Sequence, residues 1–220
     1  MMKKSVLSGL IAATLISAPV FAHQAGDIIV RAGAVVVAPN ESSQDVDLTG
    51  FDLPNFGEFS VNSNTQLGLN FGYMITDNFG VELLAATPFS HEVTLAGVHI
   101  ADTKHLPPTL VAQYYFGNAD SKLRPYVGLG VNFTNFFDNE FTQAGKDLGL
   151  GLENLSLENS WGVAAQVGLD YQVNKNWLVN ASVWYADIST DVKFNSAVGP
   201  VSIETDIDPW VYMVSVGYVF

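Results

Sequence analysis

Five residues with reactive or ligating side chains fall close together in the stretch SHEVTLAGVHIADTKH: Ser90, His91, His99, Asp102 and His105. A serine, a histidine and a carboxylate are the parts of an activated nucleophile in hydrolases and acyltransferases. Three histidines with an aspartate are also a donor set for a transition metal. Spacing supports neither chemistry, because the serine has no nucleophile motif around it and the histidines lack the tight paired spacing of a metal site. The same residues read better as solvated members of a surface connection. No catalytic residue, metal or cofactor is therefore assigned, and an enzyme is not expected.

A second group is dispersed along the chain: Arg31, Glu82, Arg124 and Asp170. Each stands in a segment where large apolar residues alternate with small or polar ones, and each falls on the less apolar parity. Two arginines and two carboxylates brought into a narrow, partly dry space would pair, since an unpaired buried charge is costly. Whether they meet depends on the elements that carry them.

Those elements follow from the alternation. The chain closes with WVYMVSVGYVF, in which Trp210, Tyr212, Val214, Val216, Tyr218 and Phe220 share one face of a strand. Period-two patterning recurs at 28–37, 64–75, 79–89, 108–116, 123–136, 160–173, 177–188 and 208–220. Three of the connections are turn-like, at 76–78, 117–120 and 174–176. The other four, 38–63, 90–107, 137–159 and 189–207, are long and polar, and long and short connections alternate. An even number of antiparallel strands joined in this way predicts an all-β fold: an eight-stranded transmembrane barrel with short periplasmic turns and long extracellular loops. A soluble ligand-binding barrel would put its apolar face inside and its polar face outside, which is the reverse of this pattern.

Composition agrees. The chain of 220 residues is 48% hydrophobic yet carries 22 acidic against 9 basic residues, for a formal net charge of −13. Nucleic acid is an unsuitable partner for so acidic a chain. Lys3 and Lys4, an apolar run from Val6 to Ile16 and small residues before His23 read as a signal peptide over 1–22, leaving 23–220 as the barrel. There is no cysteine, so an exported chain is held without disulfides.

Parity and strand direction place Arg31, Glu82, Arg124 and Asp170 inside the periplasmic half as a plug. Above them the inward residues are Val35, Val37, Leu84, Val111, Trp184 and Met213, an apolar upper lumen. Eight strands leave an interior only wide enough for side chains, so an open aqueous pore is not expected. Inward glycines such as Gly33, Gly68, Gly128, Gly168 and Gly217 leave room for a ligand, or else simply let strands bend and approach one another. Acids in the long connections, among them Glu41, Asp45, Asp47, Asp52, Glu58, Asp138, Glu140 and Glu158, suit divalent cations shared with lipopolysaccharide, or a solvated face.

The segments NTQLGL (64–69), GVELLAATPF (80–89), HLPPTL (105–110), RPYVG (124–128), NWLVN (176–180), DPW (208–210) and the aromatic last strand together resemble the OmpW family of outer-membrane proteins over the whole mature length. The resemblance implies an eight-stranded barrel in the bacterial outer membrane with a narrow hydrophobic channel that passes small apolar molecules. It also implies loops that act as receptors for bacteriocins or phages. The first long connection shares little with the family, so receptor roles are not carried over. The expected function is uptake of small hydrophobic ligands with lateral release to the bilayer. A surface docking protein without transport, or a lipid-modifying barrel enzyme, are the competing readings.

Overall fold

The computed structural model describes residues 23–43 and 57–220. The predicted signal peptide and Asp45, Asp47 and Asp52 lie outside the described residues. In chain order the elements are β1 (Ile28–Ala38), β2 (Ser42–Ser43), β3 (Phe59–Val61), β4 (Asn64–Met74), β5 (Phe79–Ala86), β6 (Phe89–Leu95), β7 (Val98–Leu106), β8 (Thr109–Tyr115), β9 (Leu123–Phe141), α1 (Gln143–Lys146), β10 (Glu153–Leu157), β11 (Ser160–Gln172), β12 (Trp177–Ala186), β13 (Ser189–Ser196), β14 (Gly199–Asp206) and β15 (Trp210–Val219).

Eight of these strands, β1, β4, β5, β8, β9, β11, β12 and β15, form one closed antiparallel barrel. Closure joins the two ends of the chain, with Ile29 opposite Val219 and Ala38 opposite Trp210. An open edge would leave backbone N–H and C=O groups unpaired in hydrocarbon, so the last strand has to meet the first. The outer face is the apolar parity: Leu67, Phe71, Leu129, Val163, Val167 and Val214 are exposed, and Trp161 is 74% exposed. Aromatic rings cluster at both rims. At the short-turn end Trp177 packs edge-on to Tyr218 and Tyr218 to Phe220; at the far end Phe133 lies on Trp161 and Tyr185 on Trp210. Such paired girdles mark the two interfaces of a membrane-spanning barrel.

Where they are described, the four long connections carry strands of their own. The upper part of β9 continues to Phe141 and pairs with β7, which pairs with β6, which pairs with β3. Opposite stands a second small sheet in the order β10-β13-β14-β2. The β6–β7 hairpin turns at Ala96 and Gly97, both at positive φ (49° and 80°), the conformation a two-residue hairpin turn of right-handed twist requires. The inner faces of the two sheets meet through Phe59, Leu95, Ile100, Ala101 and Ile203, with Phe141 edge-on to Phe194 at 5.7 Å. The barrel is thus extended beyond its rim by two apolar-faced sheets.

Candidate functional site

The interior is layered from the short-turn end outward. Lowest is a hydrophobic floor of Ile29, Met74, Leu178 and Val219, roofed by Tyr115 and Tyr126. On it lies the polar layer. Arg31, Glu82, Arg124 and Asp170 are all buried at no more than 1% exposure. Arg31 is the hub: it bonds Glu82, reaches Asp170 at 2.5 Å and donates to the Tyr115 hydroxyl at 3.0 Å. The remaining lone pairs are met as well. Gln166 donates to Glu82 Oε1 at 3.0 Å, and Asn180 donates to Asp170 Oδ1 at 2.7 Å. Arg124 stands opposite Asp170 in the β9–β11 ladder, donates to the carbonyls of His23 and Asp77 and lies 5.2 Å above the Tyr115 ring. A buried charge is tolerated when its hydrogen bonds are complete; all four carboxylate oxygens meet that condition, while Arg31 Nε, His23 Nδ1 and the Asn70 amide have no hydrogen-bond partner among the described residues.

His23 is the residue that parity did not supply. It precedes β1, is fully buried, and puts Nε2 2.7 Å from Asp170 Oδ2. Tyr115, Tyr126, Gln113, Gln166 and Asn180 complete the network, and their inward parity was readable in the sequence although their bonding was not.

Some inward glycines allow close backbone approach, as at Gly33 and Gly130, where a Cβ would meet the Val214 and Leu110 carbonyls, and others make room for neighbouring side chains. A Cβ at Gly168 would sit 2.2 Å from the Tyr126 ring, one at Gly217 would meet Leu178 and Arg31, and one at Gly68 would meet Val35 and Met213. Gly168→Ala should therefore push Tyr126 from its place, where its hydroxyl accepts from Asn180 at 2.9 Å. The expected loss is about 1–3 kcal/mol, as for other overpacked cores, read from urea unfolding out of lipid vesicles.

Above the polar layer Val35, Val37, Leu84, Phe89, Val111, Trp184, Val211 and Met213 pack into one cluster. The six residues expected to form an apolar upper lumen thus sit together. The free volume beside them is about 30 Å³, lined by Val35, Val37, Leu84, Trp184, Pro107 and His105 among others. That holds a water molecule and little more, so Leu84 and Trp184 form a constriction and not a chamber. The larger space lies farther out, between the two extension sheets. It is a cavity of about 200 Å³ lined by Phe59, Val93, Leu95, Ile100, Phe141, Phe194 and Val201, with His91 and His105 on its wall. A dry cavity of roughly 150 Å³ is enough to take a benzene molecule. Val37 and His105 line both spaces and mark their junction.

The chemistry-bearing residues of the β6–β7 hairpin are sorted by its register. His91 and His105 point inward and bring their Nε2 atoms to 3.1 Å. Ser90 is exposed on the opposite face of β6. A register shift between Val93 and Thr94 turns His99 outward, where it meets Asp102 at 3.0 Å in solvent. No Ser–His–Asp array is assembled among these residues. Among the described residues no group of three or more His, Cys, Asp or Glu is placed to hold a metal ion. Burial holds both inward histidines below their ordinary pKa, and the neighbouring His91 helps to push His105 down to about 3. Both are neutral at ordinary pH.

A family model described as the OmpW family matches residues 24–220. The chain is 52% identical over 220 residues to outer membrane protein W of Escherichia coli strain K12, and 50% identical over 225 residues to outer membrane protein W of Vibrio cholerae; both alignments cover each chain completely. The crystal structure of the outer membrane protein OprG from Pseudomonas aeruginosa superimposes with a TM-score of 0.82 at 45% identity, covering 90% of this chain and 98% of that one.

Proposed function

This chain belongs to the OmpW family of outer-membrane proteins, and on that footing we propose that it admits small apolar molecules from outside the bacterial outer membrane into the cavity between its extension sheets. The observation that carries this reading is the position of the ligand-sized space. It is apolar and lies on the outer side of the Leu84–Trp184 cluster, beneath which Arg31 bonds Glu82 and Asp170; on this reading that bonded layer closes the axial route to the periplasm. A molecule that passes Val37 and His105 meets Leu84 and Trp184 and leaves sideways into the bilayer. The wall favours that exit beside Pro107 and Pro108: Pro107 lines the inner space, and neither proline has an N–H to give to the ladder. Small hydrophobic ligands and the lipopolysaccharide leaflet are the proposed partners, and no catalysis is assigned.

The test uses Trp184 as sole reporter. Trp161, Trp177 and Trp210 are exposed on the outer face and are replaced by Phe. Decane added to the protein in lipid nanodiscs should change Trp184 emission saturably. Leu84→Glu should weaken the response, because a charge placed in a dry constriction costs several kcal/mol or forces protonation. A linear response, identical in the parent and in Leu84→Glu, would instead support a surface docking protein without transport.

A further inference from the structure

We infer that His105 is a hydrogen-bond acceptor for the ligand, and that the preferred ligands are neutral apolar molecules carrying one O–H or N–H donor. This rests on the proposed function above and names the substrate class of the same cavity.

The inference follows from where the protons on the two inward histidines must lie. His91 Nδ1 is 2.6 Å from the backbone carbonyl of Asn62. A carbonyl only accepts, so Nδ1 carries the proton, and the Nε2 of neutral His91 is a bare lone pair. His105 Nε2 lies 3.1 Å from that lone pair and so must be the donor. A neutral imidazole has one proton, which leaves His105 Nδ1 as an acceptor. That atom is buried and has no hydrogen-bond partner among the described residues. The other polar side chains on the cavity wall are occupied: Thr103 bonds Asn139 and Thr190 bonds the Glu158 carbonyl. His105 thus brings an unmet acceptor to the junction of the two spaces, within a wall that is otherwise apolar or satisfied.

The rest of the wall narrows the choice. Among the described residues the lining of both spaces includes no Asp, Glu, Lys or Arg. A carboxylate ligand would enter uncompensated, would meet a second acceptor at His105, and would first have to cross an outer surface bearing Glu92, Asp138, Glu140, Glu158 and Glu204. A plain hydrocarbon fills the cavity but leaves Nδ1 unpaired. An alcohol, phenol or indole does both, since its donor satisfies a buried acceptor that is costly to leave unmade. Nδ1 is itself covered in this structure, so seating the donor requires a small shift of the ring, which the gained bond favours.

The experiment compares 1-decanol, decyl methyl ether, decane and decanoate, using the full mature protein in nanodiscs with Trp184 as reporter. Decanol should bind at least tenfold more tightly than its methyl ether, and decanoate most weakly. His105→Phe should bring decanol and the ether to the same affinity. A second readout needs no substitution: in protein with ¹⁵N-labelled histidine, saturation with decanol should move the His105 Nδ1 resonance upfield, toward that of a hydrogen-bonded nitrogen, and decane should not. Equal binding of decanol and ether to the parent protein, or an unmoved Nδ1 resonance at saturation, overturns the inference while saturable decane binding keeps the channel reading intact. Failure of every probe to bind saturably overturns both.

Discussion

Arg31→Ala should lower the stability of the barrel by about 3–5 kcal/mol, the cost of stripping one partner from a buried ion pair, and should raise its conductance in a planar bilayer. Arg31 is the link between Glu82 and Asp170, and all three are at most 1% exposed. Without the guanidinium, Glu82 keeps only neutral donors such as Gln166, and Asp170 keeps His23 and Asn180. Two carboxylates in so confined a space will either take up protons or draw in water, and water in this layer is what opens a path. The matched control is Arg31→Met combined with Glu82→Gln, which removes one charge of each sign and leaves Asp170 opposite Arg124. It should recover much of the lost stability, because replacing a buried ion pair as a whole is far cheaper than breaking it. Unfolding in urea from lipid vesicles measures the first quantity and single-channel recording the second. A stability loss below about 1 kcal/mol, the range of exposed pairs, together with unchanged conductance, would mean that the layer is hydrated and seals nothing.

Filling the outer cavity should weaken decane binding at least tenfold, equivalent to about 1.4 kcal/mol, without touching the barrel wall. Val93 on β6 and Val201 on β14 both line the cavity and are only partly buried, so Val93→Phe with Val201→Phe adds two rings to the open space and strains little else. Neither residue belongs to the eight strands of the wall. Urea unfolding of the barrel should therefore be unchanged, which separates a blocked cavity from a damaged fold. Undiminished binding in the double variant would mean that the ligand reaches Trp184 from the bilayer, through the wall beside Pro107, and would remove the outer cavity from the path.

Much of the wall was legible because a strand has a period of two and a membrane imposes opposite solvents on its two faces. Strict alternation at Leu67, Leu69, Phe71 and Tyr73 admits one orientation once one side is lipid, and the same rule sends Arg31, Glu82 and Asp170 inward without any knowledge of their partners. The extension sheets were not legible in the same way. Their outer faces meet water and their inner faces meet each other, so acidic and amide residues interrupt the apolar positions and the segments pass for polar loops. The alternation of Phe89, His91, Val93 and Leu95, and of Val201, Ile203 and Thr205, was present, as was the Ala96-Gly97 turn. What was missing was a reason to bury these faces, since the partner of each hairpin lies about a hundred residues away.

By itself, then, the sequence determined which segments form the barrel wall, which face of each meets lipid, that the last strand must return to the first, and that four charges are enclosed. Local periodicity and the cost of an unpaired backbone in hydrocarbon suffice for all of that. Only the tertiary structure decided that Arg31, and not Arg124, joins the two carboxylates, because such contacts cross the lumen and depend on the stagger of strands around the barrel. It alone brought His23 back onto Asp170 from a segment with no periodicity to read. Through one irregularity in the β6–β7 register it turned His99 out to water and His105 in to the cavity. A one-residue slip exchanges the faces of a strand, and no property of the histidines themselves records on which side of that slip they fall.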